Sequence, residues 1–289
     1  MKYHFIGEYQ HEFPIARMCQ ALSVSESGYY AWRKRPLSER KRRDAELAER
    51  IELAYEENRR VYGSPRLHAE LKEQGEHCGR KRVARLMREG GINAKPKRRK
   101  MKTTDSKHSN PVAPNLLKRD FTADAPNTKW VADITGIGTA EGWLYLAAVV
   151  DIYSRFVVGW AMGKERDEQL ITKAAVMALE RRRPGAGLLH HSDRGSQYTS
   201  QGYQALLKQH GIEISMSRKG DYYDNALMES FFGTVKEECV ERQTYQTRAE
   251  ARSSVFEYLE VFYNRQRRHS SLGYVSPVIY EQTRGGTEH

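Results

Sequence analysis

Cysteine is scarce in this chain. Three occur, Cys19, Cys78 and Cys239, odd in number and far apart, which argues against a disulfide framework and fits a reducing compartment. No CxxC pair is present, so a structural zinc site is not expected. No run of about 18 apolar residues exists to cross a bilayer, and the N-terminal MKYHFIGEYQ lacks the apolar core of a secretory signal. Apolar residues are also few, 39% against 29% charged. Part of the chain is therefore expected to be extended, or built from helices too small to bury much. At 289 residues the length suggests two domains or three modules. The expectation is a soluble, cytoplasmic protein.

What is abundant is positive charge, and it is uneven. Residues 1–120 carry 28 Lys+Arg against 16 Asp+Glu, whereas residues 121–289 carry 20 against 21. A basic module joined to a near-neutral one suggests that the first holds a polyanion and the second acts on it. A merely solubilising basic half is the plainer alternative, but the charge coincides with helical DNA-binding patterns. PIARMCQALSVSESGYYAWRKR (Pro14–Arg35) reads as helix, turn, helix, with Ile15, Met18, Cys19 and Leu22 at helical spacing. Ser23 or Ser25 can cap its second helix, and Arg33, Lys34 and Arg35 lie at the far end. A second unit follows a spacer helix near Ser38–Asn58. SPRLHAELKEQG, the turn EHCG and RKRVARLMREGG turn Val83, Leu86 and Met87 inward, leaving Arg80, Lys81, Arg82, Arg85 and Arg88 for other faces. Each unit alone is weak; two in tandem point to helix-turn-helix DNA binding. KPKRRKMK (Lys95–Lys102), with Lys97, Arg98, Arg99 and Lys100, reads either as a solvated linker or as a strand tracking phosphates.

From Thr128 the texture changes. KWVADITGI, WLYLAAVVDIY and RFVVGWAM are three apolar strands with short links, an antiparallel meander. EQLITKAAVMALERRR is an amphipathic helix, LLHHSD a short strand, TSQGYQALLKQHG a helix and IEISM a strand, with further helices after it. The order βββ-α-β-α-β-α predicts an α/β fold with a ribonuclease H-like mixed sheet and helices on both faces, preceded by a basic all-α region. The expected division is 1–94 helical DNA-binding region, 95–120 basic linker, 121–240 core, and 241–289 a C-terminal helix and tail completing the core.

GDYYDNALMESFFGTVKEE (Gly220–Glu238) holds five carboxylates in nineteen residues. On a helix over Asn225–Val240, Leu227, Phe231 and Val235 form the buried stripe, and Glu229 and Lys236 fall together on the opposite face. Asp224 is placed to be the N-cap, Asp221 also precedes the helix, and Glu237 and Glu238 come near its C-terminus. Glu229 has no such ordinary role. Its possible partners are strand-end aspartates: Asp133 in WVADIT and Asp193 ending LLHHSD. Asp151, at the far end of the second strand, is expected to be remote. Hard divalent cations need carboxylates converging from different elements, but spacing alone leaves this trio open against capping and surface roles.

WVADIT, YLAAVVDIYSRFVVGW, HSDRGSQYTS, SRKGDYYDNALMESFFGTVKEE and YNRQRRHSSLGYVSP, in this order, closely resemble the catalytic half of DDE transposases, the retroviral-integrase-like enzymes of bacterial insertion sequences. The closest likeness is to the second-frame product of the family encoded in two overlapping frames, and SVSESGYYAW, YGSPRL and RVARLMREGGI resemble the same product. Between Asp193 and Glu229 lie 35 residues, the family's D-35-E spacing. The resemblance assigns Asp133, Asp193 and Glu229 as a catalytic triad binding two Mg²⁺, with Mn²⁺ able to substitute. It implies 3′-end cleavage and strand transfer on double-stranded DNA, a homo-oligomer on DNA, an upstream first-frame protein as partner, and association with the bacterial nucleoid. Lys236 is placed to reach a phosphate, and Asn264, Arg265, Arg268 and His269 either touch DNA or anchor the last helix. The family's retroviral members carry a zinc-binding HHCC module that has no counterpart here: His68, His77 and Cys78 are too irregular. A serine or tyrosine recombinase is disfavoured because Ser154 has only Arg155 beside it. A non-catalytic DNA-binding assembly subunit would not need all three carboxylates, and a plain metal-dependent nuclease would share them but join nothing.

Overall fold

The computed structural model describes residues 1–36, 38–93, 112–219 and 221–284. It divides into two compact units, one of residues 1–60 and 70–93, the other of 61–69 and the chain from 94 onward. Lys97, Arg98, Arg99 and Lys100 lie outside the described residues.

The first unit is helical. α1 (Lys2–Glu8), for which the sequence offers no strong pattern, packs Ile6 against Met18 and Cys19 of α2 (Ile15–Ala21) and Tyr29 of α3 (Glu26–Lys34). The expected capping of α3 is present: Ser25 Oγ accepts from Gly28 N at 3.0 Å. α4 (Glu39–Glu57) is capped by Ser38 and buries Leu47, Ile51 and Ala54. α5 (Ser64–Glu73) and α6 (Arg80–Glu89) occupy the stretches read as the second helix pair, and the division between units falls within α5. α6 buries Val83, Leu86 and Met87, as its periodicity predicts. Asp44 of α4 accepts from Arg82 Nε and Arg85 Nη2, each at 2.7 Å.

The second unit is built on a five-stranded sheet. β1 (Lys129–Thr139), β2 (Gly142–Asp151) and β3 (Val157–Gly163) form the antiparallel meander. α7 (Glu168–Arg182) leads to β4 (Leu189–Ser192), and α8 (Gln201–Gln209) to β5 (Glu213–Met216), both strands parallel to β1. The sheet order is β3-β2-β1-β4-β5, so the first and fourth strands are neighbours, as expected. One face of the sheet buries Trp130, Ala132, Ile134, Val149 and Val158 against Leu170, Ala174 and Ala178 of α7 and Tyr203 and Leu207 of α8. Gly159 of β3 is required by this packing, because a Cβ there would overlap the Ala174 carbonyl oxygen and Ala178. By the two-residue period of a strand, Val131, Asp133 and Ile137 project to the opposite face.

α9 (Ala226–Glu238) follows a 3₁₀ turn at Tyr222–Asn225 and meets β1. It buries Met228, Phe231, Phe232, Val235 and Glu238. The stripe thus centres nearer Met228 than Leu227, which is half-buried. α10 (Arg248–Glu257) opens with a capping box between Thr247 and Glu250 and continues as a π-helical turn, Tyr258–Tyr263. α11 (Pro277–Arg284) ends the described chain. No described helix is long and apolar enough to cross a membrane.

Two acidic residues differ from expectation. Asp224 does not cap α9; that position is Asn225, whose side chain makes no capping bond. Asp224 is instead fully buried and accepts from Asn115 Nδ2, Arg119 Nε and the backbone and guanidinium of Arg218. Arg218 and then Arg119 hold its carboxyl well below the usual range. Glu238 likewise turns inward, accepting from Arg267 Nε at 2.6 Å, Arg66 Nη1 at 3.3 Å and Tyr258 Oη at 2.8 Å. Truncating one partner of a buried ion pair leaves the other charge unpaired, at about 3–5 kcal/mol. Glu238→Ala is therefore expected to lose about that much unfolding free energy in urea; a loss under about 1 kcal/mol would show that Arg267 finds water instead.

Candidate active site

The site begins with a register. β1 pairs with β4 in parallel, Ala132 opposite Ser192. The next residue of each strand is an aspartate, so Asp133 and Asp193 emerge side by side. Asp133 Oδ1 accepts from Ile134 N at 2.7 Å, and Asp193 Oδ1 from Gly195 N at 2.8 Å, where the chain turns out of the sheet. The N-terminus of α9 is drawn to the same place by Asn225, whose Nδ2 donates to the Ala132 carbonyl at 3.4 Å. One turn on, Glu229 stands exposed on the side of α9 away from its buried stripe.

The electrostatics reflect this convergence. Burial pushes the Asp133 carboxyl up to about 8, with Asp193 next and Glu229 also raising it, against the Ile134 amide and Arg166. The buried Tyr198 hydroxyl, which has no hydrogen-bond partner among the described residues, is pushed far up by burial and by both Asp133 and Asp193. Among the described residues no three His, Cys, Asp or Glu side chains are already closed into a cation site. Three oxygen-donor side chains from a strand, a loop and a helix nonetheless suit a hard divalent cation, and a carboxyl held protonated by its acidic neighbours is one that a cation would ionise.

Other residues singled out from the sequence sort clearly. Asp151 is fully buried opposite Trp130, three residues along β1 from Asp133. It accepts from Asn127 N at 2.7 Å and Tyr153 N at 2.8 Å, so it braces the β2 end and stays apart from the pair. Lys236 is half-buried two turns beyond Glu229. Arg33, Lys34 and Arg35 are exposed at the end of α3, with Arg33 donating to Gln10. Arg80 and Lys81 are exposed on α6; Arg82 and Arg85 are committed to Asp44, yet line a cleft of about 590 Å³ with Arg40, Arg43 and Lys81.

Arg265 is exposed, but its neighbours in YNRQRRHSSL need correcting as candidate DNA contacts. His269 is 8% exposed and packs edge-on to Tyr263 at 4.8 Å. Burial, then Arg267, Arg66 and Arg155, keep it far below its ordinary pKa, hence neutral. Arg268 is half-buried and donates from Nη1 to the Tyr274 carbonyl at 2.9 Å. Asn264 exchanges two hydrogen bonds with the Val157 backbone, the anchoring role. The sequence reading did not find Arg166, Tyr198 or Asn225. Arg166 sits in GKERDE, which reads as a solvated charge run, and only tertiary packing reveals the other two.

A central antiparallel meander extended by parallel strands, with one carboxylate inside β1 and another just past the end of its neighbour β4, defines an integrase-type core. Models of the integrase core domain match residues 123–221 and 210–277, and an HTH-like domain model matches residues 41–100. The transposase InsF of insertion sequence IS3A from Escherichia coli K12 is 44% identical over 97% of this chain and 98% of its own. A 31 kDa protein of insertion element IS600 from Shigella sonnei is 49% identical over 92% of this chain and 97% of its own. Among solved structures, the HTLV-2 integrase catalytic core domain is a distant likeness, with TM-score 0.43 and 17% identity over 55% of this chain and 98% of that one. The chain belongs to the IS3-type insertion-sequence transposases, enzymes with an integrase core and a helix-turn-helix-like region. The expected fold class and function hold.

The Asp133 environment carries a stability consequence. In the folded, chelator-treated protein this carboxyl keeps its proton to about pH 8, whereas unfolded it releases it near pH 4. Unfolding between these values releases a proton, so stability falls as pH rises from about 4 to about 8. Asp133→Asn should remove that part of the slope and raise the melting temperature at pH 8 in EDTA. Equal or lower stability of the variant there would contradict the raised pKa of the Asp133 carboxyl.

Proposed function

We propose that Asp133, Asp193 and Glu229 are the catalytic triad and together hold two Mg²⁺ ions, with Mn²⁺ able to substitute. The observation that carries this reading is the β1–β4 register, which sets the two aspartates side by side within electrostatic reach of Glu229. Bound divalent ions would supply Lewis-acid stabilisation of the attacking and leaving oxygens. The protein's part is positional. Asp133 and Asp193, fixed on the neighbouring strands β1 and β4 by backbone amides, orient the phosphodiester, and Glu229 closes the site from α9. Lys236 contributes a positive charge for a neighbouring phosphate.

Water attacks the phosphorus at the element end, and the 3′-oxygen leaves with a proton as a free hydroxyl. That hydroxyl then attacks a second phosphodiester of target DNA, so one P–O bond forms as another breaks and no ATP is consumed. The basic region of residues 1–94 binds the element ends, with Arg33, Lys34, Arg35, Arg80, Lys81, Arg82 and Arg85 supplying phosphate contacts, and Arg265 adds one from the core. Residues 95–120, including Lys97, Arg98, Arg99 and Lys100, link it to the core of 121–240, which 241–289 completes. Two ends must be held together, which favours a homo-oligomer on DNA, and the resemblance to two-frame transposases supports an upstream first-frame partner.

The test is a labelled element-end oligonucleotide incubated with Mg²⁺ and protein, fused to the upstream segment if wild type requires it. Glu229→Gln should lose both nicked and joined products by at least about 10³-fold, several kcal/mol of transition-state stabilisation, while still binding the DNA. Nicking without joining by wild type would favour a nuclease. Undiminished cleavage by Glu229→Gln would remove this residue from the triad.

A further inference from the structure

We propose that a cleft on the Ser230–Thr234 flank of α9 seats one phosphodiester phosphate of the DNA strand. The cleft has a volume of about 410 Å³ and is lined by Arg66, Arg155 and Arg267 together with the hydroxyls of Ser230, Thr234 and Ser270. Ser230 directly follows Glu229 in the same helix, so one element serves both places. The location beside the scissile bond rests on the triad reading above; the anion site itself does not.

The charge balance is what demands a ligand. Three guanidinium groups stand against two carboxylates: Glu238 is already bonded to Arg267, Arg66 and Tyr258, and Asp151, which acts on Arg155 through its charge alone, is bonded to backbone amides. The three are close enough that each disfavours protonation of His269. Arg155 has no ion-pair partner among the described residues. Its Nη2 donates to the Phe121 carbonyl at 3.2 Å, while its Nη1 is buried with no partner. Its backbone adopts a left-handed conformation, φ 62°, uncommon for arginine and consistent with a side chain held for a purpose. A largely buried guanidinium without an anion is costly. Its fork, with serine and threonine hydroxyls nearby, matches the oxygens of a phosphate. The substrate of a transposase carries such a group on every nucleotide.

The test reads binding alone. The full chain is titrated in EDTA with element-end duplexes, each carrying one neutral methylphosphonate at a different position, at several salt concentrations. For wild type, one position near the cleaved end should weaken binding by roughly tenfold, as loss of a charge-assisted contact does. Arg155→Gln should bind more weakly, show no further loss at that position, and have its salt slope reduced by about 1. Ser230→Asp, at an exposed helix position, should weaken binding by putting a negative charge into the cleft, and it decides the matter if Arg155→Gln does not fold. Wild-type profiles and slopes in folded variants would overturn the proposal; a sensitive position remote from the cleaved end, if Arg155→Gln abolishes it, would uphold the anion site and overturn only its placement beside the scissile bond. No cleavage is measured, so an error in the metal-site reading leaves this result untouched.

Discussion

Everything at the candidate site depends on the parallel pairing of β1 with β4. Register in a sheet is quantised: a slip of one residue would turn Asp133 to the α7 face, against Val149, Val158 and Ala174, and turn Trp130, Ala132 and Ile134 out of that core. With Ala132 opposite Ser192, the two aspartates instead leave the sheet together on the α9 side. The apolar residues around them fix that choice, because Val131 and Ile137 must face one layer while Trp130, Ala132 and Ile134 face the other. The position of the carboxylates is thus a by-product of core packing. The cost is concentrated at Asp133, where burial and like charge oppose ionisation.

The third carboxylate is positioned by a different device. α9 is tied at its start to the β1 backbone through Asn225 and at its end to the C-terminal segment through Glu238 and Arg267. Just before it, Asp224 gathers Arg218, Arg119 and Asn115 into a buried node. Glu229 lies between these anchors, exposed on the side of the helix away from its buried stripe. A rigid helix carrying an exposed acid gives a ligand that can approach a substrate without rebuilding the core. The same helix presents Ser230 and Thr234 to the arginine-lined cleft, so the candidate carboxylate site and the proposed phosphate site share one helix.

Much of this was legible in the sequence. Short apolar runs bounded by turns predict β1 and β4, the expected fold makes them neighbours and so brings Asp133 towards Asp193, and a helical projection alone sets Glu229 opposite the buried stripe. Local capping chemistry leaves Ser23 or Ser25 for the start of α3, and Ser25 takes the role. What escaped is tertiary. Asp224 resembles an N-cap because its local spacing is right, but Arg218 and Arg119 draw it inward. Glu238, His269 and Asn264 look like surface polar residues until the C-terminal segment folds over the sheet and buries them. Arg82 and Arg85 read as free positive charges until α4 brings Asp44 alongside.

The most direct test of the central claim, that paired strand-end carboxylates bind the ions of the transfer reaction, is a ligand-exchange experiment. Asp193→Cys replaces an oxygen donor with sulfur, which binds Mg²⁺ poorly and softer ions better. Strand cleavage and joining by this variant should be lost in Mg²⁺ and recovered, at least in part, in Mn²⁺ or Cd²⁺, with wild type active in Mg²⁺ throughout. Full activity of Asp193→Cys in Mg²⁺ would contradict the account.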